Sequence, residues 1–436
     1  MSLYCELINE ISKISIIDTH EHLESEGHRL AKKSDIFTVF MMHYTSSDLV
    51  SAGMTRENML KIQDPEVELD EKWELFSPFW ELAKNTAYCR AISIAINDLY
   101  GVEELTSSKY RELDQRFKSR NKRGIYEDIL KNRCNIDKSI LNVPAEPRND
   151  VCDYIDRFIR LDDVDRKYFL PVINFDAFIN VTNQFILKFQ LFKNITVNSL
   201  KEWVLHLETA LYECKTKGII GIKTALAYDR ILRYEEADFS QAEKLFLELL
   251  RTSEIETDIC KLKPLQDYMM HRLLEQASAL GLPVQVHTGL QDGNGNVITN
   301  ANPVHMVNVF TKYPDIKFDI FHGGYPYGSE LAAIAKNFPN VYVDMCWLHI
   351  ISPEYSVRLL SEWLDTVPSN KIFGFGGDYV FAEGVYGHLQ LAKDNIVRTL
   401  AQKVESRCMT QTFALEVAGR LLRKNPLDFF RIQENY

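Results

Sequence analysis

Ile14-Ser15-Ile16-Ile17-Asp18-Thr19-His20-Glu21-His22 is the stretch that decides how this chain folds. Its isoleucines and threonine are β-branched, so it reads as a strand. Side chains alternate along a strand, which puts Asp18, His20 and His22 on one face and turns Glu21 away. Two imidazoles on one face, two residues apart, can grip a single metal ion. Standing alone, the pair reads equally as two surface histidines at a strand end. The rest of the chain has to decide between these.

Working outward, seven further β-branched runs follow: Ile136 to Val143, Tyr168 to Asn174, Ile219 to Lys223, Leu282 to His287, Ile316 to His322, Val341 to Asp344 and Lys371 to Gly376. Helical stretches separate them. Leu265 to Leu280 follows Pro264 and stops at Gly281; Leu200 to Lys217 stops at Gly218. Gly328 to Phe338 ends before Pro339, and Pro353 to Thr366 precedes Pro368. These are helix starts and stops set by proline and glycine. Eight strand–helix units predict a parallel sheet with right-handed crossovers, and eight closes a (β/α)8 TIM barrel. An open doubly wound sheet is the alternative.

The gap between the first two runs is too long for one crossover. Within it, Ser34–Met42, Arg56–Ile62, Glu71–Leu82 and Gly124–Lys131 read as helical. The expected organisation is a barrel from residues 1–23 and 136–436, with a mostly helical insertion, residues 24–135, covering its mouth. Val385–Lys403 and Gln411–Arg423 read as closing helices.

Composition bounds the function. The 436 residues are 46% hydrophobic and 25% charged, with a net charge of −11. That is an ordinary globular mix. An acidic chain offers no net field for phosphate, so neither nucleic acid nor an anionic membrane is an expected partner. No apolar run reaches the roughly 18–20 residues of a membrane span. The start shows no basic segment leading into an apolar one, and the eight cysteines show no CxxC spacing. Free thiols in the cytoplasm are therefore expected.

In a barrel of this kind, reacting groups sit at the C-terminal ends of strands. The first run ends in His20 and His22, the fourth in Lys223, the fifth in His287, the sixth in His322, and the eighth just before Asp378. Four of the eleven histidines thus fall at the matching end of a predicted strand. Imidazole and carboxylate without thiolate suit Zn²⁺ or a similar divalent ion. There is no GxSxG elbow and no P-loop. Arg230, Tyr325, Asp344 and Trp347 lie near strand ends, where packing explains each of them as well as substrate contact. His28 and His43, in the insertion, read as ordinary surface or satisfied histidines, with a reach to the barrel mouth as the other reading.

These residues in this order resemble the amidohydrolase superfamily. Gly221-Ile222-Lys223, Val286-His287-Thr288-Gly289, Phe321-His322-Gly323-Gly324-Tyr325-Pro326 and Gly377-Asp378 are similar to the amidohydrolase-related domain at the front of FluG-type and nodulin-like proteins. The insertion is similar to inserts in uronate isomerases. The resemblance implies a metal-dependent hydrolase acting on an amide or ester-like bond of a small polar substrate. It implies metal ligation by His20, His22 and Asp378, with His287 and His322 at a second ion where there is one. It implies that Lys223, when carboxylated, bridges two ions; an ammonium binding a substrate carboxylate is the other reading. Asp378 would shuttle the proton, His322 would face the reacting water in one-metal members, and Tyr228 would stabilise the oxyanion. Uronate-type isomerisation and decarboxylation use the same ligands, and a non-catalytic ligand-binding barrel is the reading from another class. A homo-oligomer is compatible with all of these.

Overall fold

The computed structural model describes residues 2–143, 161–251 and 259–433. The chain divides into two compact units: residues 1–139, 291–296 and 345–426, and residues 140–290, 297–344 and 427–436. Eight strands form one sheet in the order β1 to β8. They are β1 Ile16–Glu21, β2 Ile136–Val143, β3 Phe169–Asn174, β4 Gly221–Thr224, β5 Val284–Val286, β6 Phe318–Ile320, β7 Val341–Asp344 and β8 Ile372–Phe373. From β3 to β7 the pairing is parallel, and one rung sets Lys223 opposite Gln285 and Gln285 opposite Asp319. The first and last strands also meet. Thr19 N–H donates to the Phe375 carbonyl at 3.1 Å, Asp378 N–H to the His20 carbonyl at 2.8 Å, and His22 N–H to the Tyr379 carbonyl at 3.1 Å. This is the (β/α)8 architecture read from the eight runs.

Several strands are shorter than their runs. β5 and β6 have three residues each and β8 has two. The chain leaves the ladder early because the following residues turn to present side chains; His322 opens a 3-10 turn with φ of 62°. Glycine is required where β8 ends. A Cβ at Gly377 would collide with Glu21 Oε1, and one at Gly376 would lie 2.5 Å from Thr19 Oγ1.

Between β1 and β2 lie α2 Glu26–Ala31, α3 Ile36–Phe40, α4 Tyr44–Ser51, α5 Arg56–Gln63, α6 Leu69–Ala83, α7 Ala87–Tyr100 and α8 Tyr110–Arg120, after α1 Leu3–Ile11. The four expected helices are present, the last as a π-helix at Glu127–Arg133. The sequence reading did not name α7. Its Ile92, Ile94 and Ile96 alternate with period two, which imitates a strand, but Thr86 caps it and Gly101 ends it in the left-handed conformation. One face buries Ile92, Ile96 and Leu99, each contributing roughly 1.5–3 kcal/mol of transfer energy. It packs on the long helix Ala382–Glu405 that follows β8, at a point where a Cβ on Gly387 would strike the Ala91 carbonyl. Among the described residues, no helix is long and apolar enough to cross a membrane.

A buried ion pair ties the segments that follow β1 and β8. Arg29 on α2 donates from Nη1 and Nη2 to the two carboxylate oxygens of Glu383, at 2.8 and 2.7 Å, and Tyr100 adds a bond of 2.6 Å. Burial alone would raise the Glu383 pKa; the Arg29 charge, its two hydrogen bonds and Tyr100 outweigh burial and hold it below the usual range. Replacing Arg29 with Met strands a buried carboxylate, so we expect a loss of about 3–5 kcal/mol of unfolding free energy at neutral pH, measured by urea denaturation. Because the folded-state pKa is depressed, the wild-type contribution is present above the usual glutamate range and is lost as pH falls through the depressed value. The wild-type advantage over Arg29→Met should therefore shrink on acidification.

Candidate metal centre

The candidate metal-ligand trio begins on β1. His20 is fully buried, and His22 lies just past the strand end with a side chain 14% exposed. Their Nε2 atoms are 3.2 Å apart. Asp378 follows β8, and its Oδ1 lies 3.0 Å from His22 Nε2 and 3.6 Å from His20 Nε2. All three donor atoms fall within 4.8 Å of one another. A four-coordinate ion with bonds of about 2.0–2.1 Å needs donors roughly 3.3 Å apart. The trio fits a divalent ion.

The other Asp378 oxygen is held from the insertion. Tyr44 at the start of α4 donates its hydroxyl to Asp378 Oδ2 and to the Asp378 carbonyl, both at 2.7 Å. Burial and the Asp378 charge push the Tyr44 pKa well above its ordinary value, so it remains a phenol donor. Tyr44 stacks on Trp347 at 4.4 Å and 14°. Beside it, the His43 ring lies 6.3 Å from that of His22, and His43 Nε2 is 3.8 Å from Asp292 Oδ2. His43, Trp347 and Asp378 all have φ near +60°. Each such non-glycine residue costs roughly 1–2 kcal/mol, and strain of this kind gathers where function fixes the backbone.

Asp18 sits behind the ligands. Its Oδ1 accepts from Gly377 N–H at 3.0 Å and His20 N–H at 3.2 Å, and its Oδ2 accepts from Ser139 at 2.9 Å. Burial pushes its pKa up to about 6. Glu21, expected to turn away from that face, accepts from Tyr379 N–H at 2.9 Å and meets the Asp18 carboxyl side chain to side chain. Burial and then the Asp18 charge raise its pKa well above the usual value.

In the second unit, the fifth- and sixth-strand histidines face each other. His287 Nδ1 and His322 Nε2 are 3.0 Å apart. The Leu290 carbonyl, 2.9 Å from His287 Nε2, fixes the proton there and leaves the Nδ1 lone pair toward His322. Tyr228, on the 3-10 turn after β4, packs its ring 4.6 Å from that of His287. Lys223 is 3% exposed, with its ammonium 4.6 Å from the centre of the Phe321 ring. On the same rung, Gln285 donates to Asp319 Oδ2 at 3.0 Å. Burial and the Asp344 charge raise the Asp319 pKa well above its usual value, against the opposing Lys223 charge.

A family model for amidohydrolases matches residues 257–432. Protein fluG of Emericella nidulans is 26% identical over 226 residues, which is 50% of this chain and 26% of that protein. Over these residues the chain is similar to the amidohydrolases. The match to fluG spans about a quarter of that relative's length. Solved structures extend the likeness across the whole fold. The uronate isomerase of Thermotoga maritima has a TM-score of 0.77 at 15% identity, covering 98% of this chain and 97% of that one. The glucuronate isomerase of Caulobacter crescentus scores 0.76 at 17%, covering 100% and 95%. A Lactobacillus casei protein described as a metal-dependent hydrolase scores 0.66 at 16%, covering 98% and 97%. At these identities the likeness is one of fold.

Among the expected site residues, the structure brings His20, His22 and Asp378 together in one unit, and His287, His322 and Tyr228 near one another in the other, where Lys223 lies against the Phe321 ring. His28 is exposed. For His43 the structure favours the alternative reading, since its ring lies beside His22. Tyr44 was not singled out at all, since nothing local marks a tyrosine whose partner is 334 residues away. Asp319 and Gln285 were missed too, though each is polar at the centre of a three-residue apolar strand. Arg230 is committed to Asp267 and Gln266, which removes it from the substrate contacts.

Tyr44→Phe removes only the hydroxyl that orients Asp378. We expect a folded protein whose affinity for Zn²⁺ falls about 10–100-fold, the usual effect of losing an outer hydrogen bond to a ligand. Competition against a chromogenic chelator measures it.

Proposed function

We propose that this protein is a metal-dependent hydrolase that adds water across an amide or ester-like bond of a small polar substrate. The observation that carries the reading is the Asp378 carboxylate, with Oδ1 toward two histidines and Oδ2 held by Tyr44. In this reading His20, His22 and Asp378 hold a divalent ion, Zn²⁺ or similar, which when bound supplies Lewis acidity and lowers the pKa of water towards about 7. Asp378 takes the proton of the attacking water and returns it to the departing amine or alcohol, acting as base and then as acid. The Tyr44 hydrogen bond fixes the carboxylate for both transfers. Tyr228 donates its hydroxyl to the oxyanion that develops on the substrate carbonyl. His43, with Asp292 behind it, contacts the polar part of the substrate. His287 and His322 hold a second ion or, with one ion, orient the water.

A second reading has specific support. The two uronate isomerases align over nearly all of this chain, including the segment between β1 and β2. In that case the same groups would move a proton between adjacent carbons of a sugar acid, and the product would be a ketose. The assays separate the two: amine release from N-acyl amino acids and γ-glutamyl compounds against ketose formation from uronates, with metal-replete protein. We expect hydrolysis, its loss in Asp378→Asn with the fold retained, and a raised KM in His43→Asn, the mark of a lost substrate contact. Ketose formation without amine release would replace the hydrolytic reading, and near-normal turnover in Asp378→Asn would remove its proton-transfer role.

Lys223, buried at the end of β4, is the group we propose is carboxylated, adding an oxygen ligand for a second ion. Native mass spectrometry at neutral pH should then show the added mass of one CO2, absent in Lys223→Met, with two metal equivalents per chain. An unmodified lysine with one equivalent would leave a single-ion centre.

A further inference from the structure

At the other end of the second unit's strands lies a cavity of about 240 Å³. It opens at the amino ends of β4, β5 and β6, against Ile219, Pro283 and Lys317, and the last helix closes it with Phe429 and Phe430. Pro283 precedes β5 and His287 follows it, four residues of extended chain or about 13 Å away. The cavity is therefore separate from the groups assigned above to chemistry. Its volume falls below the roughly 300–1,000 Å³ of drug-sized sites, which suits a small metabolite.

The charges on its wall are unbalanced. Lys215, Lys317 and Arg431 line it, against the single carboxylate of Asp315. Among the described residues, none of the three cations makes a side-chain hydrogen bond or ion pair. Lys317 instead lies 5.8 Å from the centres of the Tyr342 and Phe429 rings. Burial lowers the pKa of Lys317 and the nearby Arg431 charge lowers it further, with Asp428 offsetting part of this. Lys317 and Arg431 thus line one recess floored by leucine, proline and phenylalanine. An anion between them would offset the two charges, and an apolar body would fill the recess.

We propose that this cavity is a second ligand site, which takes a small organic carboxylate with an apolar or aromatic body, its carboxylate between Lys317 and Arg431. Such a ligand stabilises the folded chain by mass action.

The test uses the full chain and sodium benzoate as probe, followed by thermal melting and isothermal titration. We expect a saturable, concentration-dependent rise in Tm with one equivalent bound. Benzamide, the neutral isostere, and inorganic phosphate, which lacks the apolar body, should each bind at least tenfold more weakly. Lys317→Met and Arg431→Gln should each weaken benzoate at least tenfold, whereas Lys317→Arg should keep the affinity within about threefold. Asp378→Asn should bind benzoate as wild type does, so that failure of the proposed reaction leaves this result standing. Benzoate binding that survives both charge-removing variants, equal binding of benzamide or phosphate, or no binding at millimolar concentration would each overturn the proposal.

Discussion

The backbone seam between β1 and β8 is the constraint on which the meeting of His20, His22 and Asp378 depends. Asp378 N–H reaches the His20 carbonyl and His22 N–H reaches the Tyr379 carbonyl. These bonds fix two ligands from one end of the chain against the third, more than 350 residues later. They also require glycine at 376 and 377, because Thr19 and Glu21 occupy the space a side chain would need. The Asp18 carboxylate completes the seam by accepting from both strands and from Ser139 on β2.

Polar groups at the centre of a sheet carry a desolvation cost, and this protein offsets it with bonds rather than exposure. Asp18, Glu21, Asp319 and Glu383 are all buried, and each accepts hydrogen bonds from nearby donors. Their pKa values diverge for a physical reason. Glu383 faces the arginine fork and stays ionised, whereas Glu21 and Asp319 each face another carboxylate and are driven toward the protonated form. Burial raises all of them and is the largest cause; at Glu383 the arginine charge and hydrogen bonds reverse it, and at Glu21 and Asp319 a second carboxylate adds to it.

The segment between β1 and β2 is built into the first unit. Its α7 meets the helix after β8 without an intervening side chain, its Arg29 holds Glu383, and its Tyr44 holds Asp378. The fold itself leaves the reaction open, since barrels of this kind host many chemistries. In this chain His43 and Tyr44 are the groups the segment brings beside His22 and Asp378.

The sequence by itself determined the eight strands, the helix ends set by proline and glycine, and the histidines at strand ends. These follow from local periodicity and from chemistry that recurs at fixed strand positions, so a one-dimensional pattern carries them. It also determined the pairing of His20 with His22, because two residues along a strand always share a face. Only the tertiary structure decided that Tyr44 would orient Asp378, that His43 would lie beside His22, and that Arg29 would bind Glu383. Those partners are separated by anything from 21 to 354 residues, and no local rule fixes which loop folds back on which ligand. The rung of Lys223, Gln285 and Asp319 was equally invisible, because its members adjoin only through the register of three parallel strands. Long-range pairing is set by how whole elements pack, and that packing is a property of the folded chain as a whole.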